Sequence, residues 1–343
     1  VKHIFIHCGL HKTGSTSLQT VLSRKADLLL ERGVLYPKTG RLLSIGGGHH
    51  NIAWEIARDR RFEVHNGKLA ALLEEIDNFP GPTILSSEDF ETLLGSRAGI
   101  DALLAAFAPA HAQVHFMIYL RNQITYCESN FIENLVQNIG EEYRRCTADI
   151  LRHGRLALKD WSFQFDYRQM LDNLNAAGAS VVIRNFHTLE AGSVIADFLK
   201  FTGIPVAGFE DDLDLRTNER LSTLAALRLF CRNRLGRPLG DWEAKAIRMV
   251  ADAISDRKFV SSDATMNAFR AAFIYGNLKI CRQCGLSGRG LDLAMPAHDP
   301  SDTITYEQIF SFELQSLISE MRQLLMAGKP DDAAELAGQF VDD

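Results

Sequence analysis

Little in this 343-residue chain points to a membrane, a polyanion or an oxidising compartment. The longest uncharged stretch, residues 102–120, is broken by Pro109, His111, Gln113 and His115, so it reads as a helix end, a turn and a strand rather than a span. A basic excess is missing too. With 37 Lys and Arg against 43 Asp and Glu the formal net charge is −6, and no overall field would hold DNA, RNA or an acidic membrane. Any bound anion must be met by a local site. Six cysteines are too scattered for a disulfide framework, and the one C-x-x-C, Cys281 and Cys284, lacks a second ligand pair for zinc. The N-terminus opens on a strand, not on a basic region followed by an apolar core, so a cytoplasmic location is the expectation. There is no repeat and no low-complexity tract. Apolar residues at 46% and charged residues at 23% are those of a folded globular chain, which excludes disordered, collagenous and coiled-coil classes.

The pattern that is present alternates strands with helices. His3–His7 is a short β-rich run, followed by a Gly-containing loop and a helical apolar spacing from Ser15 to Arg32, which Gly33 closes. Further strands are expected at Thr83–Ser87, Val114–Leu120 and Ser180–Asn185, with a helix over Asp166–Ala177. Such alternation implies an α/β fold whose central sheet is mostly parallel, with helices on both faces. Beyond Pro205 only helices are expected, at 219–235, 241–254, 264–275 and 306–326, with a surface loop over 285–301. The corresponding division is an α/β core over 1–205 and a mainly helical region over 206–343.

The segment between the first strand and the first helix carries the chemistry. Gly9 and Gly14 have the spacing of a phosphate-cradling loop, and Thr16 occupies its hydroxyl position. At such a junction exposed backbone N–H groups and the helix dipole favour an anion. A nucleoside triphosphatase loop needs Lys directly after the second Gly; here Ser15 stands there, and Lys12 sits inside the loop.

The run Gly9-Leu10-His11-Lys12-Thr13-Gly14-Ser15-Thr16-Ser17-Leu18-Gln19 resembles the 5′-phosphosulfate loop of the PAPS-dependent sulfotransferases, the bacterial members most of all. The resemblance implies a P-loop-type fold that binds 3′-phosphoadenosine 5′-phosphosulfate (PAPS) as co-substrate through Gly9, His11, Lys12, Thr13, Gly14, Ser15, Thr16 and Ser17. It implies that Lys12 neutralises the bridging oxygen as the sulfuryl group leaves. The family's second motif, a strand-end Arg followed eight positions later by a Ser, matches Arg121 and Ser129 and implies a 3′-phosphate site; guanidinium is a permanently charged fork for phosphate oxygens. Arg216 and Asn218, in a later polar segment, are softer candidates, since a plain helix start explains them equally.

Sulfuryl transfer asks for in-line positioning and for stabilisation of leaving-group charge, and in principle needs no metal. A hydroxyl acceptor, or less readily an amine, of a small molecule, sugar or lipid benefits from a base. Glu88 is the first candidate, because Ser86-Ser87-Glu88-Asp89 ends a strand, and parallel sheets place ligands at their carboxyl ends. His49 and His50, after Gly46-Gly47-Gly48 on what reads as a movable covering loop, are the others. Two other readings stay open. One is a P-loop kinase or nucleoside triphosphatase, against which Ser15 speaks; the other is a non-catalytic nucleotide-binding module.

Overall fold

The structure is a computed structural model that describes residues 2–189, 192–215, 221–255, 257–294 and 302–342. Its centre is a four-stranded, all-parallel sheet of β1 (Lys2–His7), β2 (Thr83–Ser86), β3 (Ala112–Leu120) and a later strand, Ser180–Asn185, in the spatial order β2, β1, β3, Ser180–Asn185. Register is fixed by Ile4 opposite Thr83 and Val114, and by Met117 opposite Val182. Ile4, Ile6, Ile84 and Leu85 are buried, as the near-continuous apolar runs of a parallel sheet covered by helices require.

The expected helix over 15–32 is divided at Lys25 into α1 (Ser15–Arg24) and α2 (Ala26–Glu31). Leu18, Val21 and Leu22 of α1 pack with Ile195, Phe198 and Leu199 of the helix Val194–Thr202 over Ile84, Met117 and Tyr119 of the sheet. Burying each such side chain stabilises the fold by about 1.5–3 kcal/mol. The helix Arg97–Phe107 contacts β3, and Tyr167–Ala176 contacts the strand Ser180–Asn185. A helix over His50–Ala57, α3, and an antiparallel hairpin formed by Arg155–Leu158 and Trp161–Gln164 were not legible as periodicity. Among the described residues no helix is long and apolar enough to cross a membrane.

The chain forms two compact units. One comprises Val1–Gln123, Gly154–Asn218 and Phe273–Leu293 and holds the sheet; the other comprises Ile124–His153, Glu219–Ala272 and Ala294–Asp343. These bounds differ from a single cut at 205, because the chain leaves and re-enters each unit, which composition along the sequence does not register. The second unit is built on an aromatic cluster in which Tyr143 stacks on Tyr306 at 4.8 Å and Phe131 meets Tyr143 edge-on at 5.1 Å. It also corrects one expectation. The region beyond 205 is not strand-free: Lys258–Val260 and Thr303–Thr305 pair in parallel. Strands of three residues are too short to reveal an alternation.

Candidate functional site

Because β1 lies between β2 and β3, the loop that follows it emerges in the middle of the sheet's carboxyl edge, with the ends of β2 and β3 on either side. The Cys8 N–H donates to the Met117 carbonyl at 2.9 Å, so the loop is anchored one residue beyond the strand. Gly9 has no room for a side chain: a Cβ there would stand 2.5 Å from Ser15 Oγ and 2.7 Å from the His7 ring. Gly14 precedes α1 with φ of 82°, and a Cβ on it would meet Val194 at 2.9 Å. Lys12 itself has φ of 63°. Left-handed backbone at a non-glycine residue costs about 1–3 kcal/mol and persists where surrounding contacts impose it.

Those contacts are visible. The Thr13 hydroxyl donates to the Leu10 carbonyl at 2.6 Å, and the Arg121 guanidinium donates to the Lys12 carbonyl at 2.6 Å. Glu91, fully buried, accepts from the His11 N–H at 3.1 Å and pairs with His11 Nδ1 at 2.8 Å, while its other oxygen accepts from the Gln164 N–H at 2.6 Å. Burial opposes an imidazolium at His11, but Glu91 outweighs it and raises the His11 pKa. The start of α1 has neither a side-chain cap nor an acid in its first turn, so its own residues set no negative charge against the positive end of its dipole.

Beside Gly14 and Ser17 opens a cavity of about 560 Å³, whose lining includes Arg121, Phe186, Val194 and Leu215. Arg121 stands over the Phe186 ring at 5.6 Å and at the end of β3, so one guanidinium both braces the loop and faces the cavity. A cavity of this size, with polar and apolar lining in about equal measure and Arg121 and Asp214 as its charged groups, has room for a nucleotide-sized ligand.

On the opposite flank, past the end of β2, lies a dense polar cluster. His49 Nδ1 accepts from the Ser86 N–H at 3.2 Å, which places the ring proton on Nε2, 3.0 Å from the Pro37 carbonyl. Burial pushes its pKa down to about 3, so His49 is a neutral structural histidine. His7, also buried, meets Ser86 Oγ at 2.8 Å and is pushed down to about 4. His50 differs. Its Nδ1 lies 2.8 Å from Asp89 Oδ2 and 3.0 Å from Ser87 Oγ, whereas its Nε2 is buried with no hydrogen-bond partner among the described residues. Burial works against its charged form, but Glu88 and then Asp89 outweigh burial and raise its pKa. Glu88, only partly buried, accepts from Gln19 Nε2 at 2.6 Å. Burial would raise the Glu88 pKa; His50 and then His11 overcome it, and the carboxyl sits below its ordinary value.

The two histidines do not stand on a movable loop. His50 is the first residue of α3 and His49 precedes it, while residues 42–48 are tied by Leu42 N–H to the Gly48 carbonyl at 2.9 Å and by Tyr36 OH to the Gly47 carbonyl at 3.0 Å. The loop residues Gly9 to Ser17, Arg121, Glu88 and His50 thus come together at one sheet edge. Ser129 lies on the helix Gln123–Val136, within the second unit. Arg216 and Asn218 fall outside the described residues. Two participants had no signal in the sequence, Glu91 and Arg61, the latter pairing with Asp59 and Asp89; Gln19 and Asp89 lie in segments already singled out, but their contacts to Glu88 and His50 are tertiary. Comparison with protein-family models, curated proteins and solved structures returns no match to this chain.

Proposed function

We propose that the chain is a sulfotransferase that moves a sulfuryl group from PAPS to a hydroxyl acceptor. The observation that carries the reading is the convergence of Lys12 and Arg121 on one strand-to-helix loop, beside a cavity of about 560 Å³ and one sheet strand away from Glu88. The residues present fit such a donor. Uncapped backbone at the start of α1 and the Lys12 ammonium suit the 5′ end, Arg121 suits the 3′-phosphate, and Phe186 with Leu215 offers apolar surface for a purine. Bound there, PAPS supplies the sulfuryl group: a bond forms from the acceptor oxygen to sulfur while the bond from sulfur to the 5′-phosphate oxygen breaks, that oxygen keeping the electron pair.

Lys12 then matters most where negative charge grows on the leaving oxygen. The Glu88 carboxylate, held by Gln19 and kept ionised at neutral pH, accepts the proton that the attacking hydroxyl releases. Glu88 is the better-placed base because it is partly open, whereas His49 has both ring nitrogens engaged and His50 Nε2 is enclosed. Calorimetry in EDTA tests the donor site: 3′-phosphoadenosine 5′-phosphate should bind, and ATP much more weakly. Consumption of PAPS in the presence of a panel of alcohols, phenols and sugars tests the reaction. Equal affinity for both nucleotides would favour a nucleoside triphosphatase reading, and tight binding without turnover a binding module.

A further inference from the structure

Behind Glu88 runs a line of buried polar groups that the transfer itself does not use. Arg61 lies between the rings of Trp54 and Trp161, 4.8 and 4.9 Å from their centroids, and pairs with Asp59 at 2.7 Å and with Asp89 Oδ1 at 3.3 Å. Asp89 Oδ2 in turn holds His50 Nδ1 at 2.8 Å, and the Asp89 N–H donates to Ser87 Oγ at 3.1 Å. The Asp89 carboxylate can only accept, so Nδ1 carries the proton, and the second ring nitrogen and Gln19 Oε1 both border Gly48. His50 Nε2 and Gln19 Oε1 are both buried with no hydrogen-bond partner among the described residues, and both lie within 2.8 Å of the point where a Cβ on Gly48 would stand. Gln19 Nε2 meanwhile donates to Glu88. Gly48 therefore leaves room for a close group of imidazole, carboxamide and carboxylate that any side chain at this position would fill.

We infer that His50 is a positioning residue for Glu88: clamped by Asp89 and Arg61 as a buried cation, it holds the Glu88 carboxylate charged and, with Gln19, aimed toward the acceptor. The inference rests on the sulfotransferase reading for its role in turnover, but the charge relation belongs to the resting protein. Desolvation raises the pKa of a partly buried carboxylate, whereas an opposite charge within about 4–6 Å lowers a carboxyl pKa by roughly 1–3. The groups that face the pair are His11 from the loop, with Glu91 behind it, His7 from β1, Tyr36, His49 and Asp89. Of these only His11 is a second cation toward Glu88, so loss of His50 should weaken the effect without abolishing it.

The test is the titration of Glu88 followed through carboxyl-carbon NMR in the full chain, with the pH profile of PAPS turnover beside it. In the unaltered protein the Glu88 signal should show a second inflection where His50 titrates. In His50→Gln the Glu88 titration, and the acidic limb of kcat, should move to higher pH by about one pH unit, with about tenfold lower turnover below the limb and near-normal turnover above it. Asp89→Asn takes the partner from His50 but also removes a carboxylate that itself raises the Glu88 pKa, so its net shift should be the smaller of the two. A Glu88 titration that is blind to His50 in the unaltered protein, or unmoved in a folded His50→Gln, overturns the inference. If His50→Gln fails to fold, the inflection in the unaltered protein decides. If PAPS is never turned over while the two titrations are coupled, the sulfotransferase reading fails and the charge relation stands.

Discussion

Replacing Arg121 by Ala removes two things at once, and the structure allows them to be separated. The guanidinium donates to the Lys12 carbonyl at 2.6 Å and also lines the cavity beside Gly14 and Ser17. The first contact is a hydrogen bond from a charged donor to a neutral acceptor, worth about 1.5–3 kcal/mol, and its loss would loosen the loop for any nucleotide. The second is the expected contact to a 3′-phosphate. Truncating one partner of a desolvated charge pair costs about 2–5 kcal/mol, roughly 30-fold or more in Kd. Comparing 3′-phosphoadenosine 5′-phosphate with adenosine 5′-monophosphate isolates that second contribution, because the two ligands differ only in the 3′-phosphate. Calorimetry on the unaltered chain and on Arg121→Ala gives four affinities. The unaltered chain should prefer the 3′-phosphorylated ligand strongly, and the variant should lose most of that preference while losing less affinity for the monophosphate. If Arg121→Ala weakens both ligands by the same factor, Arg121 acts only as a brace for the loop and the assignment of the 3′-phosphate site is wrong.

Lys12→Gly removes the ammonium but suits the φ of 63°, so it should lower kcat by about 10²-fold or more while leaving stability equal or higher by up to about 1 kcal/mol. Denaturation curves and steady-state kinetics on the same preparation check this, and a variant that keeps its kcat and only raises KM would make Lys12 a ground-state binder. Stability should also fall with acid through two histidines: His49 and His7 are pushed by burial to about 3 and 4, so between pH 6.5 and 4.5 the unfolded chain binds protons that the folded one refuses, at up to about 1.4 kcal/mol per pH unit for each histidine. His11 and His50, whose pKa values are raised, are already protonated in both states at the lower end of that window and add little slope there. His49→Gln should therefore reduce the slope by about one histidine's share in urea denaturation series, and an unchanged slope in the folded variant would show that His49 is protonated in the native state.

What the sequence made legible at this site is what backbone geometry dictates locally. Gly9 and Gly14 announce a loop whose conformation excludes side chains, and the structure finds a Cβ at either position in collision with Ser15 or Val194. Strand ends announced Glu88 and Arg121, because alternation along the chain fixes where β2 and β3 stop. The histidine pair was legible only as a pair. Sequence places His49 and His50 side by side after three glycines, yet a helix start sends successive side chains in different directions: His49 closes on the backbone of Pro37 and Ser86, and His50 turns to Asp89. That divergence is decided by partners 12 and 39 positions away, which no local pattern contains. The same holds for Glu91, which binds His11 from 80 positions along the chain and Gln164 from 73. Local geometry thus specifies the loop face, where bare backbone and one or two cations gather. The histidine and carboxylate cluster beyond β2 is a matter of burial and long-range pairing, so its charge states are settled by whichever charges the fold encloses together.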